Sequence, residues 1–94
     1  MGNIRKRLLI SGIVQGVFFR KTMAKKAREI GVYGWVKNLE DGSIEVIVEC
    51  SEEKVDELIN WCYKGPLLAK VNNIDIKNEK YTGESREFKI KYSI

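Results

Sequence analysis

The sequence predicts an α+β fold in which two helices pack on one face of a β-sheet. Apolar residues alternate along several short segments, recur at helical spacing along two others, and are separated by turn residues. The segments follow one another as β-α-β-β-α-β with one extra strand. A chain of 94 residues with 44% hydrophobic residues can bury one modest core, so we expect a single domain over residues 1–94.

The first half of the chain is predicted to contain a strand, a helix and a second strand. Residues 4–11 alternate between apolar and polar side chains, which is typical of a strand. Residues 19–30 form an amphipathic helix that Gly31 ends. Residues 32–39 are rich in β-branched and aromatic side chains and predict the second strand. The apolar face of the helix consists of Phe19, Met23, Ala27 and Ile30.

A hairpin and a second helix follow. The Asp-Gly pair of "EDGS" predicts a turn that joins residues 32–39 to a strand over residues 44–50. Ser51 suits the N-cap of the second helix, and Glu52 and Glu53 lie where the helix dipole favours acidic side chains. The buried face of this helix is predicted to contain Val55, Leu58, Ile59 and Cys62.

Two strands complete the predicted fold. Residues 71–79 form a weaker strand, and residues 86–94 alternate cleanly. The apolar positions of the last strand are Phe88, Ile90, Tyr92 and Ile94. An antiparallel sheet of four to five strands, with both helices on one face, would bury every apolar stripe. This is the ferredoxin-like architecture.

Several classes of protein are disfavoured by composition. No apolar run approaches the roughly 18 residues of a membrane span and no secretory signal is apparent, so we expect a soluble, cytoplasmic protein without a membrane partner. Cys50 and Cys62 lie at opposite ends of the second helix, roughly 18 Å apart at 1.5 Å per residue, which disfavours a disulfide. The chain has no His and no CxxC pair, which disfavours zinc.

Charge is distributed unevenly along the chain. Residues 1–40 hold nine Lys and Arg against two Glu, a net +7, whereas residues 41–94 hold eight basic against eleven acidic residues, a net −3. The basic half could attract an anion, from a phosphorylated metabolite to nucleic acid. A solvated lysine-rich surface explains the same pattern, so charge alone leaves both interpretations open.

The stretch "GIVQGVFFRK" between the first strand and the first helix carries the strongest chemical signal. Gly12 and Gly16 permit a tight loop whose backbone N–H groups face one concavity, next to the positive end of the helix dipole. Arg20, in the first helical turn, could hold a phosphate there. Glycines needed only for loop geometry, and an arginine that points into solvent, are the alternative. The stretch is neither a Walker motif nor GxGxxG.

Chain geometry brings Asn38 towards this loop. The first helix leads away from the loop for roughly 18 Å and the second strand leads back for about 20 Å, so the end of that strand should lie beside the loop. An Asn carboxamide both donates and accepts, and could hold a water beside a bound phosphate. Ordinary turn chemistry also favours Asn beside a hairpin, so its spacing alone does not decide the role.

The runs "GIVQGVFFR", "GVYGWVKNLEDGSIEV" and "KGPLLAKV" together resemble the acylphosphatase family, and the likeness extends to the closing "FKIKY". The resemblance implies a ferredoxin-like fold and hydrolysis of the carboxyl-phosphate bond of acyl phosphates, without a metal or cofactor. It also implies that Arg20 clamps the phosphate and that Asn38 orients the attacking water. The residues whose backbone would cradle the phosphate are Gln15, Gly16, Val17, Phe18 and Phe19.

Two positions depart from the family pattern. Ile13 stands where arginine is common, and Cys50 stands where glycine is common. Because the cradle would act through its backbone, we expect Ile13 to tune activity rather than abolish it. The expected partner is a small-molecule acyl phosphate, with no nucleic acid, and nothing in the sequence requires more than a monomer.

Three rival functions share the predicted fold. An RNA-binding platform would carry interleaved aromatics on a central strand, but "SIEVIVEC" has none and contains glutamates instead. A metal carrier would need a CxxC pair in the first loop, which is absent. A phosphate sensor without turnover would have no use for Asn38, so the retained asparagine disfavours it.

Overall fold

The predicted order of elements is confirmed in a computed structural model that describes residues 2–92. The predicted place of Ile94 on the last strand lies outside the described residues. The first helix occupies the predicted residues, and the strands differ from prediction by a few residues at their ends. The elements are β1 (Asn3–Ile13), α1 (Phe19–Ile30), β2 (Tyr33–Asn38), β3 (Ile44–Ser51), α2 (Glu52–Lys64), β4 (Lys70–Glu79) and β5 (Phe88–Lys91).

The sheet has five strands in the order β4-β1-β3-β2-β5. The pairs of β1 with β3, β1 with β4, and β2 with β3 are antiparallel, as predicted, but β5 pairs with β2 in parallel. The prediction of an antiparallel sheet is therefore wrong for this strand. Because β4 ends at the end of the sheet where β2 begins, residues 80–87 cross there and β5 runs in the direction of β2.

The hydrophobic core lies between the helices and one face of the sheet. Alternate side chains of β1 and β3 are buried against both helices, and Val36 of β2 and Phe88 of β5 extend the core towards the far edge. All four predicted core positions of α2 are buried, as are those of α1 except Ile30, which is partly buried. The buried residues of β1 and β3 in this core are Leu8, Ile10, Ile44, Val46 and Val48.

The ends of the helices follow local rules with one exception. Gly31 adopts a left-handed conformation with φ 97° and donates its N–H to the Ala27 carbonyl, so it ends α1 as predicted. Ser51 precedes α2 as predicted, but its side chain makes no capping hydrogen bond. Glu52 and Glu53 in the first turn remain as the favourable charges there.

A buried carboxylate fastens the crossing segment to the face of the sheet opposite the helices. Glu49 is 1% exposed and accepts hydrogen bonds from the backbone N–H groups of Thr82, Gly83 and Ser85 and from the Thr82 hydroxyl. Arg5 lies 3.4 Å from the same carboxylate. Burial alone would raise the pKa of Glu49, but the hydrogen bonds from the crossing segment outweigh it and the pKa is lowered.

Candidate active site

The loop between β1 and α1 has a backbone in which the sign of φ alternates from residue to residue. Gly16 has φ 76° and Phe18 has φ 63°, whereas Val17 between them does not have positive φ. Such alternation turns successive N–H groups towards one side of the chain. Among the described residues other than glycine, only Phe18 has positive φ. This conformation costs about 1–2 kcal/mol and is typical of functional loops.

Buried side chains anchor this loop at both ends. Val14 and Phe19 are each 1% exposed, and Phe19 packs edge-on against Trp61 with ring centroids 5.7 Å apart. Gly12, predicted to shape the loop, lies instead within β1 at a register shift against β4. A Cβ at Gly12 would lie 2.1 Å from the Lys70 carbonyl oxygen, so glycine is required there for close strand packing.

The backbone N–H groups of the loop are the next feature of the site. Within residues 2–92, the N–H groups from Gln15 to Lys21 donate to no backbone or side-chain acceptor. The hydrogen-bonded turns of α1 begin with the Thr22 N–H, which donates to the Phe18 carbonyl at 3.0 Å. Unpaired donors at a helix N-terminus form a ready site for an anion.

Two cations reinforce this positive potential. Arg20 and Lys21 stand in the first turn of α1, which contains no acidic residue. The Arg20 guanidinium lies 5.1 Å from the centre of the Tyr92 ring and donates weakly, at 3.4 Å, to the Lys91 carbonyl. No carboxylate among the described residues lies within ion-pair distance of Arg20. Its charge therefore remains available to an anionic ligand.

Asn38 lies at the end of β2 beside this loop, as the predicted chain path requires. Its Oδ1 is buried and, within the described part of the chain, has no hydrogen-bond partner. A buried acceptor without a partner costs about 1–3 kcal/mol and calls for a specific explanation. Asn38, Arg20 and the loop share one cleft of about 320 Å³. Its lining residues are Val14, Gln15, Gly16, Phe18, Phe19, Arg20, Lys21, Asn38, Ile90 and Tyr92.

Two features of the cleft escape sequence reasoning. Ile90 of β5 and Tyr92, which follows β5, contribute to the lining, although the alternation of this segment predicts only a strand. The Gln15 side chain also bonds to the β2–β3 hairpin, donating to the Leu39 carbonyl at 2.8 Å and to the Ser43 carbonyl at 2.9 Å. A glutamine in a loop gives no sequence signal for such a tie.

Comparison with known proteins decides the family. A family model described as acylphosphatase matches residues 6–90. The chain belongs to the acylphosphatase family. An acylphosphatase from Roseiflexus sp. (strain RS-1) is 48% identical over 96% of this chain and 97% of its own length. One from Aeropyrum pernix is 46% identical over 95% of this chain and 89% of its own.

The acylphosphatase fold matches as well. The crystal structure of acylphosphatase from Bacillus subtilis superposes with a TM-score of 0.91 at 29% identity, over 95% of this chain and 99% of that one. The two departures from the family pattern lie outside the cleft lining. Ile13 is 57% exposed at the end of β1, and the Cys50 thiol donates to the Gly31 carbonyl at 3.4 Å.

Proposed function

We propose that this chain hydrolyses acyl phosphates to a carboxylate and inorganic phosphate through a cleft in which Arg20 and the loop backbone hold the phosphoryl group. Asn38 orients the attacking water. The observation that carries the proposal is the meeting, in one cleft, of a run of unpaired N–H donors with a buried unpaired acceptor. Hydrolysis of an acyl phosphate needs both, one for the phosphoryl oxygens and one for water.

The donors supply the electrostatic part of catalysis. In phosphoryl transfer, charge spreads over the oxygens of the transferred group, so fixed donors aimed at those oxygens stabilise the transition state. The cradle consists of the backbone N–H groups of Gln15, Gly16, Val17, Phe18 and Phe19. Arg20 adds a bidentate contact once its guanidinium exchanges the weak bond to the Lys91 carbonyl for the phosphate.

Asn38 supplies the acceptor that the attacking water requires. A rotation of the Asn38 side chain would bring Oδ1 into the cleft, where a water that donates one proton to it directs a lone pair away from the carboxamide and towards the phosphorus. Holding the nucleophilic water in this orientation lowers the entropic part of the activation free energy.

The departure of the leaving group and the transfer of the water proton need no further side chain of the protein. A carboxylate is a good leaving group, so no side chain has to protonate it. No carboxylate or thiol is among the described residues that line the cleft, and the substrate phosphate is our candidate for the acceptor of the water proton. This assignment keeps every proton transfer within the bound substrate and water.

The surroundings of the site support a small-molecule substrate rather than a nucleic acid. On the face of the sheet opposite the helices, β3 carries Glu45 and Glu49, which are both buried and paired with basic side chains. An RNA-binding platform would expose aromatic side chains at such positions. Among residues 2–92 no helix is long and apolar enough to cross a membrane. Both cysteines are free, which agrees with the reducing cytoplasm that we propose as its location.

The test measures phosphate release from benzoyl phosphate and acetyl phosphate by the wild-type chain and by Arg20→Ala, with and without a chelator. We expect wild-type turnover that the chelator does not change, and loss of turnover in Arg20→Ala. Lys25→Ala, which removes a cation from the exposed side of α1, is the matched control and should keep wild-type activity. An inactive wild type would refute the proposed activity, and chelator sensitivity would refute the metal-free mechanism.

A further inference from the structure

We infer that the Gln15 side chain is a positioning residue that fixes Asn38 relative to the phosphate-binding loop. This inference rests on the proposed function, because it concerns the water that Asn38 would orient. It assigns to Gln15 a role separate from its backbone N–H, which belongs to the cradle. The carboxamide acts on the hairpin that carries Asn38, and it touches neither phosphate nor water.

Two short hydrogen bonds, which together we call the tie, join the Gln15 side chain to the residues that close the β2–β3 hairpin loop. Gln15 Nε2 donates to the Leu39 carbonyl at 2.8 Å and to the Ser43 carbonyl at 2.9 Å. The same two residues close the hairpin, since the Leu39 N–H donates to the Ser43 carbonyl at 2.8 Å. Asn38 directly precedes Leu39 and pairs with Ile44 as the last paired position of β2. The tie therefore holds the backbone one residue beyond Asn38.

Asn38 depends on its backbone for its position. Its side chain makes no hydrogen bond to any described residue, and its Oδ1 is unpaired. Pairing with β3 holds the strand within the sheet, but among the described residues no hydrogen bond joins β3 to the phosphate-binding loop. Within residues 2–92, the two bonds of Gln15 are the hydrogen bonds that join residues 14–18 to residues 37–44. These two bonds therefore set the distance between the phosphate-binding loop and Asn38.

A glutamine suits this position chemically. Its amide nitrogen carries two N–H donors, which match two carbonyl oxygens. A glutamate of the same shape would direct a carboxylate at those carbonyls, and a methionine would fill the space without donating. Gln15 is half-buried, so the bonds are partly shielded from competing water.

The consequence concerns turnover more than phosphate binding. Catalytic geometry is sensitive to displacement, and a shift of about 1 Å away from the chemistry can cost roughly 10²-fold in rate. The loop N–H groups bind phosphate from their own side of the cleft. We therefore expect loss of the tie to lower kcat while the inhibition constant of inorganic phosphate changes little.

A double-mutant cycle between Gln15→Met and Asn38→Ala tests the inference. The measurements are kcat for benzoyl phosphate, the inhibition constant of inorganic phosphate and the midpoint of urea unfolding. Gln15→Met is expected to lower kcat about tenfold, and to lower it less than twofold when Asn38 is already alanine. Phosphate inhibition should stay within about twofold of wild type in both single variants. Ile59→Val, in the core of α2, controls for the loss of stability.

The outcomes separate this inference from the proposed function. If Asn38→Ala leaves kcat unchanged, the proposed role of Asn38 is refuted and the inference falls with it. If Asn38→Ala lowers kcat but Gln15→Met lowers it equally in both backgrounds, the role of Asn38 stands and the positioning role of Gln15 is refuted. An equal loss of kcat in Ile59→Val, at the same urea midpoint, would also overturn it, because stability alone would then explain the loss.

Discussion

Replacing Asn38 by alanine is expected to remove most of the turnover without weakening the fold. Asn38 Oδ1 is a buried acceptor that has no partner in the described part of the chain. Such a group costs about 1–3 kcal/mol, so its deletion should leave the free energy of unfolding within about 1 kcal/mol of wild type or raise it. Loss of activity without loss of stability is typical of a residue retained for function.

The size of the activity loss follows from the role proposed for the carboxamide. Deleting one preorganised hydrogen-bonding group from a catalytic site typically costs about 2.7–4 kcal/mol in the transition state. We therefore expect kcat of Asn38→Ala to fall about 10²–10³-fold, because the attacking water loses its acceptor. The inhibition constant of inorganic phosphate should change little, because the loop and Arg20 hold the phosphate.

The assay combines phosphate release, competitive inhibition by phosphate and urea unfolding on the same preparations. Asn73→Ala is the matched control, since Asn73 is an exposed asparagine on β4 and the substitution removes the same atoms. Asn73→Ala should keep wild-type kcat. A kcat within twofold of wild type in Asn38→Ala, or a loss of stability that parallels the loss of activity, would refute the reasoning.

Three further predictions concern stability and reactivity. Gly34→Ala should lower the free energy of unfolding by about 3 kcal/mol or more, because its Cβ would lie 1.8 Å from the Ile47 carbonyl oxygen. The control is Gly42→Ala, which also has positive φ but has open space around its Cβ, and it should lower the free energy of unfolding by about 1 kcal/mol. Equal urea midpoints for the two variants would contradict this prediction. Glu49→Gln should cost about 2 kcal/mol at pH 7. Because the folded pKa of Glu49 is lowered from 4.5, this difference should hold above about pH 4.5 and shrink as pH falls through the folded pKa; a difference that grows in acid would contradict it. Burial raises the pKa of Cys62 to about 12, so a thiol reagent at pH 8 should modify Cys62 only after unfolding, and rapid modification of the native chain would be inconsistent with the core packing.

The sequence was most informative where local patterns determine structure. The apolar spacing of residues 19–30 and the glycine after them predicted the bounds of α1, because helix periodicity and its C-terminal stop are local signals. The path through α1 and β2 then predicted that Asn38 returns to the loop, since element lengths fix where a chain comes back. For this reason the sequence alone predicts that the loop and Asn38 lie side by side.

Features that depend on distant parts of the chain could not be predicted in the same way. Alternation predicts that β5 is a strand, but its direction depends on where residues 80–87 cross the sheet, and the Glu49 carboxylate that fastens this crossing gives no local signal. The contact of Tyr92 with Arg20 joins opposite ends of the chain. The sequence places Gly12 in the loop, since glycine is common in loops, whereas the close approach of β4 explains the glycine in the structure.

The most direct test of the central claim follows the backbone amides while inorganic phosphate is added. In a titration of ¹⁵N-labelled chain monitored by ¹H–¹⁵N spectra, we expect saturable shifts concentrated at the N–H groups of residues 15–21. The same titration of Arg20→Ala should show much weaker binding. Saturable shifts centred elsewhere, such as the N-terminus of α2, or no saturable shift at residues 15–21, would contradict the account.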